Sequence, residues 1–122
     1  MLGRIVKDVD VSLFFLRTAN SKISVFVNVL QNALSRYSSN PSIIPPRIVS
    51  SIPSGEAVHL YMPVIDDVYA GVKTLGFNPN SKLGFVGSIN VLEPNTGLLK
   101  GVFEAKQVTA IRTALASCIG LN

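Results

Sequence analysis

Residues 95–118 read NTGLLKGVFEAKQVTAIRTALASC. The polar segment from Glu93 to Gly97 predicts a hairpin connection, and Leu98 to Phe103 an apolar strand. The small-residue run after that strand predicts a helix, because Val108, Ile111, Leu115, Cys118 and Ile119 recur at steps of three and four and make one stripe. Arg112 lies beside this stripe rather than opposite it, which puts a cation at the edge of a buried face.

Upstream of this stretch the pattern is extended. Ile48 and Val49 read as a short strand, Pro53-Ser54-Gly55 as a turn, and Ala57 to Met62 as a strand ended by Pro63. From Val68 to Phe77 the residues alternate, with Tyr69, Gly71, Lys73 and Leu75 on one face and Val68, Ala70, Val72 and Thr74 on the other. Asn78-Pro79-Asn80-Ser81 reads as a loop and Ser88 to Leu92 as the next strand. Further upstream the period changes. Ile23, Phe26, Val27, Leu30, Leu34 and Tyr37 fall on one helical face, expected to be core and capped by Asn20 or Ser21. Ser38-Ser39-Asn40-Pro41 ends that helix, since serine and asparagine compete for backbone hydrogen bonds and the proline steers Asn40 away from helix. A shorter helix to Arg17 is capped by Asp8 or Asp10, and Leu2 to Val6 is extended. The fold class is therefore α+β: N-terminal helices packed on a mainly antiparallel sheet that ends in a C-terminal helix.

At 122 residues, 48% hydrophobic and 15% charged, the chain has the size of one domain, residues 1–122, burying roughly two-thirds of its unfolded surface. Its apolar runs fall far short of the ~20 residues of a membrane span. Arg4, Lys7, Asp8 and Asp10 do not read as a secretory signal, and a single cysteine leaves no internal disulfide; the expected address is cytoplasmic. The net charge of +4 comes from scattered basic residues, with no run of three and no interleaved aromatics, so nucleic acid is disfavoured.

Most chemical motifs are missing. There is no Gly-rich phosphate loop, no histidine pair and no carboxylate cluster for a metal. His59 alternates with Val58 and Leu60 and reads as a polar side chain on a solvated sheet face, and Asp66-Asp67 as turn residues. Three cations remain at points fixed by the backbone: Arg47 after Pro45-Pro46, Lys73 on a strand beside Gly71, and Arg112 on the last helix. Cations on stiff elements suit carboxylate or phosphate.

Pro45-Pro46-Arg47, Tyr61-Met62-Pro63, Gly71-Val72-Lys73-Thr74, Asn78-Pro79-Asn80, Asn95-Thr96-Gly97 and Thr109-Ala110-Ile111-Arg112-Thr113-Ala114, in this order, resemble the N-terminal part of the ornithine cyclodeaminase and mu-crystallin family. The resemblance covers nearly the whole chain, and its last element is the most specific. It implies a substrate-binding, dimer-forming α+β domain followed by a Rossmann domain for NAD or NADP. By the same resemblance Arg47, Lys73 and Arg112 surround a substrate carboxylate, Lys73 polarises or protonates the reacting intermediate, and Arg112 with Thr113 meets the cofactor. The implied reaction is hydride transfer between the cofactor and an amino acid or cyclic imine, in a homodimer. Where this chain has Gly84-Phe85-Val86-Gly87 the family usually carries a hydroxyl residue, so cofactor contact is not carried over to that loop.

The dinucleotide-binding strand and Gly-rich turn of the family would follow Asn122, and the resemblance therefore implies that the Rossmann domain is absent and that this chain alone does not turn over. The stripe on the last helix is then expected to fray, or to be covered by a dimer or a separate partner, because each wet side chain forfeits about 1.5–3 kcal/mol. Three readings stay open: part of an oxidoreductase, a non-catalytic remnant or carboxylate-binding dimerisation module, and a basic nucleic-acid binder.

Overall fold

A computed structural model of the protein describes residues 4–18 and 20–121. In chain order the elements are β1 (Arg4–Val6), α1 (Asp8–Leu16), α2 (Asn20–Ser39), one 3-10 turn (Pro41–Ile43), β2 (Ile48–Ser51), β3 (Val58–Ile65), β4 (Ala70–Phe77), β5 (Val86–Leu92), β6 (Leu99–Glu104) and α3 (Ala105–Leu121). The sheet runs β1-β6-β5-β4-β3-β2. Neighbours are antiparallel except β1 and β6, which are parallel. The fold is thus α+β with a mostly antiparallel sheet. The expected strand start at Leu2, the caps at Asn20 or Ser21 and the Cys118 side chain lie outside what is described.

The parallel pairing of β1 with β6 decides where the helices go. Val6 is in register with Phe103, so both strands end side by side and each runs straight into a helix. The two helix starts exchange carboxylates. The Asp8 backbone N–H donates to Glu104 Oε1 at 3.0 Å, and the Gln107 N–H donates to Asp8 Oδ1 at 3.0 Å. Each carboxylate meets N–H groups that the first turn of a helix leaves without a partner, at the positive end of the helix dipole. Ala105 between them is fully buried. This corrects the expected cap of α1: Lys7 occupies the cap position, and Asp8 is the first helical residue with its side chain committed to α3. Asp10 supports the start of α1 by accepting the Lys7 N–H at 3.1 Å.

The packing is layered through α3. Helix α3 contacts β5, β6, α1 and α2, whereas α1 and α2 face the sheet across an apolar cavity of about 610 Å³ lined by Phe14, Phe15, Phe26, Ile89, Val91 and Phe103 among others. The N-terminal helices therefore sit on the sheet mainly by way of α3. The three phenylalanines from α1 and α2 pack edge-on or tilted, at centroid distances of 4.9–6.0 Å. On α2 the face of Ile23, Phe26, Val27 and Leu30 is half-buried, but Leu34 and Tyr37 are exposed, so the expected core face covers only the first half of the helix. The C-terminal end of α2 is tied down by charge instead, because Arg36 Nε donates to Asp66 Oδ2 at 3.0 Å and its guanidinium lies over the Tyr69 ring. The stripe Val108, Ile111, Leu115 and Ile119 on α3 is likewise half-buried within the chain rather than left wet.

Strand limits shift by one to three residues from the sequence reading throughout, and the informative differences are the end of β3 and the start of β4. β3 continues through Pro63, which is paired with Val72, to Ile65. Proline is tolerated there because β2 pairs only with residues 58–61, so beyond Tyr61 one side of β3 is an open edge that needs no N–H donor. β4 begins at Ala70, because the Asp66 carboxylate accepts the Val68 and Tyr69 N–H groups at 2.7 and 2.6 Å and holds those residues in a turn. The two backbone bonds, Tyr69 first, draw the Asp66 pKa below its usual value together with Arg36. Its side chain is only 9% exposed because its own turn occludes it, yet it lies at the molecular rim, so desolvation does not reverse the shift. At Gly87 the strands β4 and β5 approach so closely that a Cβ would fall on the Thr74 carbonyl oxygen and 2.9 Å from the Leu75 Cα; only glycine fits.

Asp8→Ala and Glu104→Ala are each expected to destabilise the chain by about 1 kcal/mol, the usual cost of a lost helix cap. Urea unfolding of both single variants and the double variant checks this, and the effects of the pair are expected to be non-additive because the two junctions share one interface.

Candidate functional site

The pleat decides which side chains reach the helices. Residues directly paired across a sheet share a face, and register links Met62 to Lys73, Lys73 to Ile89 and Ile89 to Phe103. Ile89 and Phe103 line the cavity under α1, so Lys73 projects on the helix side of the sheet. Ile48 pairs with Tyr61, and Arg47 immediately precedes β2 at that end of the strand. The other face carries His59, Tyr61, Ile48, Ile65 and Ile5, all exposed.

Over Lys73 lies the first part of α3. The Lys73 Nζ donates to Thr109 Oγ1 through a long contact of 3.5 Å. Arg112 and Thr113 follow Thr109 at three and four residues and so share its helix face. Thr113 Oγ1 donates to the Thr109 carbonyl at 2.8 Å, and Ser117 Oγ to the Thr113 carbonyl at 3.1 Å, which spends both hydroxyl protons on the helix itself. Arg47 and Arg112 are exposed, and Lys73 is half-buried.

Electrostatics bind the three cations into one cluster. The Lys73 pKa is lowered, first by partial burial, then by the positive charge of Arg112, then by that of Arg47. Both guanidiniums therefore lie within electrostatic reach of the ammonium, although they come from a proline-stiffened approach to β2 and from α3. Three like charges that repel one another are stabilised by an anion between them.

A cavity of about 430 Å³ opens beside this cluster, lined by Leu75, Leu83, Gly84, Phe85, Ala105, Lys106, Thr109 and Ala110. Thr109 belongs to both, so the cavity and the Lys73 ammonium share a wall. Phe85 is held by stacking on Phe77 at 4.9 Å between centroids. Sequence reading brought out the three cations but not Thr109 as the partner of Lys73; its signal was the spacing of one helical turn to Arg112. His59 is exposed on the far face, away from the cations. Among the described residues no group of three His, Cys, Asp or Glu side chains is placed to hold a metal, and no helix is long and apolar enough to cross a membrane.

Lys73→Met removes an ammonium that faces two guanidiniums. The variant is expected to be more stable than the parent at neutral pH. A lysine whose folded pKa is depressed costs stability while charged, so the gain is expected to shrink as pH rises through the lowered pKa toward the ordinary 10.5, where the parent loses the same charge. Thermal unfolding of both proteins as a function of pH checks this.

Residues 10–122 match the model of the ornithine cyclodeaminase/mu-crystallin family, and the chain belongs to that family. It is 42% identical over 125 residues to the uncharacterized Saccharomyces cerevisiae protein YGL159W, covering 99% of this chain and 33% of the relative. Its fold is similar to that of an archaeal alanine dehydrogenase dimer with bound NAD, with a TM-score of 0.75, 20% identity, and coverage of 95% of this chain and 35% of the other. It is also similar to Thermococcus litoralis Δ1-pyrroline-2-carboxylate reductase in complex with NADH and L-proline, with a TM-score of 0.74, 21% identity, and coverage of 96% and 36%. The chain thus spans about a third of the length of these proteins.

Proposed function

We propose that this member of the ornithine cyclodeaminase/mu-crystallin family is the substrate-binding and dimerisation portion of an NAD(P)-dependent oxidoreductase that acts on an amino acid or cyclic imine in the cytoplasm. The observation that carries the reading is that Lys73, on the helix side of the sheet, has its pKa lowered by partial burial and then by the positive charges of Arg112 and Arg47. Arg47 and Arg112 bind and orient the substrate carboxylate, each guanidinium offering a planar fork of donors. Lys73, with its ammonium held near Thr109 and its acidity raised, gives a proton to the reacting nitrogen or carbon centre, or stabilises charge as it develops there.

The site fits a nicotinamide cofactor in one respect and not in another. Arg112 is exposed on α3 and suits the anionic part of a dinucleotide, whereas the Thr113 hydroxyl proton is bonded back to the helix, leaving that oxygen as an acceptor. When bound, the nicotinamide supplies or accepts the hydride. A Rossmann domain beyond the described chain is part of the proposal, supported by the similarity to two nicotinamide-dependent enzymes about three times as long. Turnover by this chain alone is not expected, because it offers no Gly-rich dinucleotide loop. A second copy is the proposed partner, through the open sheet face that carries Ile5, Ile48, Tyr61 and Ile65.

A non-catalytic, carboxylate-binding remnant is the second reading. It is favoured by Gly84-Phe85-Val86-Gly87, which has no hydroxyl group to offer a cofactor.

Isothermal titration of the chain with acetate and L-proline tests the shared premise. Saturable binding is expected, with Arg47→Gln and Arg112→Gln each weakening it about tenfold, in line with the ~1.5–3 kcal/mol of a hydrogen bond to a charged group. Absence of saturable binding, or binding indifferent to both substitutions, contradicts it. Hydride transfer from NADH to a cyclic imine, assayed in a polypeptide extended by a Rossmann domain, separates the enzyme from the remnant.

A further inference from the structure

We propose that the cavity beneath α1 is a binding site for an amphiphilic anion, a medium-chain acyl carboxylate whose tail lies between α1, α2 and the sheet and whose head meets Arg17 and Lys22 at the mouth. This site is separate from the cluster of Arg47, Lys73 and Arg112. Val108 lines the cavity whereas Thr109 meets Lys73, and neighbouring residues of a helix point about 100° apart, so α3 stands between the two sites.

Two adjoining cavities carry the proposal. The inner one, of about 610 Å³, is walled from both layers, by Phe14 and Phe15 of α1 and Phe26 of α2 on one side and by Ile89, Val91 and Phe103 of the sheet on the other. Its volume falls within the ~300–1,000 Å³ of ordinary small-molecule sites. The rings hold the space open rather than fill it: Phe14 stands edge-on to Phe15 and Phe26, at 5.3 and 6.0 Å between centroids, and is still 56% exposed. An apolar tail laid against these walls gains the free energy of leaving water. The outer cavity, of about 510 Å³, shares Asp10 and Phe14 with the inner one and adds Arg17 and Lys22 to the rim.

Charge selects the head group. Arg17 closes α1, Lys22 lies in the first turn of α2, and both are exposed. The opposing charge is Asp10, whose Oδ2 accepts the Lys7 N–H at 3.1 Å. The Thr18 hydroxyl donates to the Phe14 carbonyl at 2.7 Å, so the charged donors at this rim are the guanidinium and the ammonium. Two cations against one engaged carboxylate favour an anion, and an anion joined to an apolar tail is the chemistry that the two cavities accept together.

The test is titration calorimetry of the chain with hexanoate, octanoate and decanoate below their micelle concentrations, with amide and methyl NMR signals to place the ligand. Affinity is expected to rise about fifteenfold for each pair of added methylenes, the equivalent of ~0.8 kcal/mol per methylene. Octanoate is expected to bind about fivefold more tightly than octanol or octylammonium, the scale of an exposed ion pair, and the double variant Arg17→Gln/Lys22→Gln is expected to lose that preference. Signals of Phe14, Phe26 and Val91 are expected to move, and Val91→Phe, which fills the cavity, is expected to bring decanoate down to the affinity of hexanoate. Affinity that does not grow with chain length overturns the proposal, as does octanol or octylammonium binding as tightly as octanoate. Octanoate binding that is lost in Arg112→Gln and unchanged in Arg17→Gln/Lys22→Gln places the ligand at the other cation cluster and also overturns it. Sedimentation with phosphatidylglycerol vesicles without saturable binding of monomeric octanoate assigns the face to a bilayer instead. Should Val91→Phe not fold, the chain-length and head-group series in the parent chain decide alone.

Discussion

Two strand-to-helix junctions held together by an exchange of carboxylates set the geometry on which the site depends. Asp8 faces the start of α3 and Glu104 faces the start of α1, and the parallel register of β1 with β6 brings them side by side. Each bond joins residues nearly a hundred positions apart, so one contact closes the chain between its first strand and its last helix. With the start of α3 fixed there, the helix phase puts Thr109 over Lys73 and carries Arg112 into electrostatic reach of it. A rotation of α3 by one residue, about 100°, would turn both away from the sheet.

The rest of the core is loosely filled. Among the described residues only Val11, Ile43, Ala70 and Ala105 are buried apolar side chains, and no large side chain is fully buried. The cavity under α1 and the open sheet face leave much apolar surface in reach of solvent, whereas ordinary interiors pack densely. Order at the site therefore comes from hydrogen bonds and ion pairs at the element ends: the junction carboxylates at one side, and at the other Arg36 with Asp66, whose carboxylate also builds the β3–β4 turn.

Much of this was legible in the sequence because it depends on local periodicity. The alternation from Val68 to Phe77 placed Lys73 and Gly71 on one face, and the 3.6 period after Ala105 placed Arg112 at the edge of a buried stripe. The helix stop at Ser38 to Pro41 is equally local: Asn40 accepts the Ser42 N–H and starts the 3-10 turn. What the sequence did not disclose depends on partners distant along the chain. Asp8 looked like a cap for its own helix, and only the β1–β6 pairing shows that it caps another. Pro63 looked like a strand end, and only the short reach of β2 makes it harmless. Leu34 and Tyr37 follow the helical period faithfully but stay 47% and 43% exposed, on the end of α2 that the Arg36–Asp66 pair holds. Thr109 was one small residue among several until the sheet placed an ammonium beneath it.

Arg47, Lys73 and Arg112 act as one electrostatic unit centred on the Lys73 ammonium. A side-chain NMR titration of the lysine ammonium and ε-methylene groups tests it most directly, in the parent chain and in Arg112→Gln. Lys73 is expected to titrate below the ordinary lysine value in the parent and to move back toward it when Arg112 loses its charge, since that charge is the second cause of the depression after burial. A Lys73 that titrates at the ordinary lysine value, or one whose lowered pKa is indifferent to Arg112, rules the unit out.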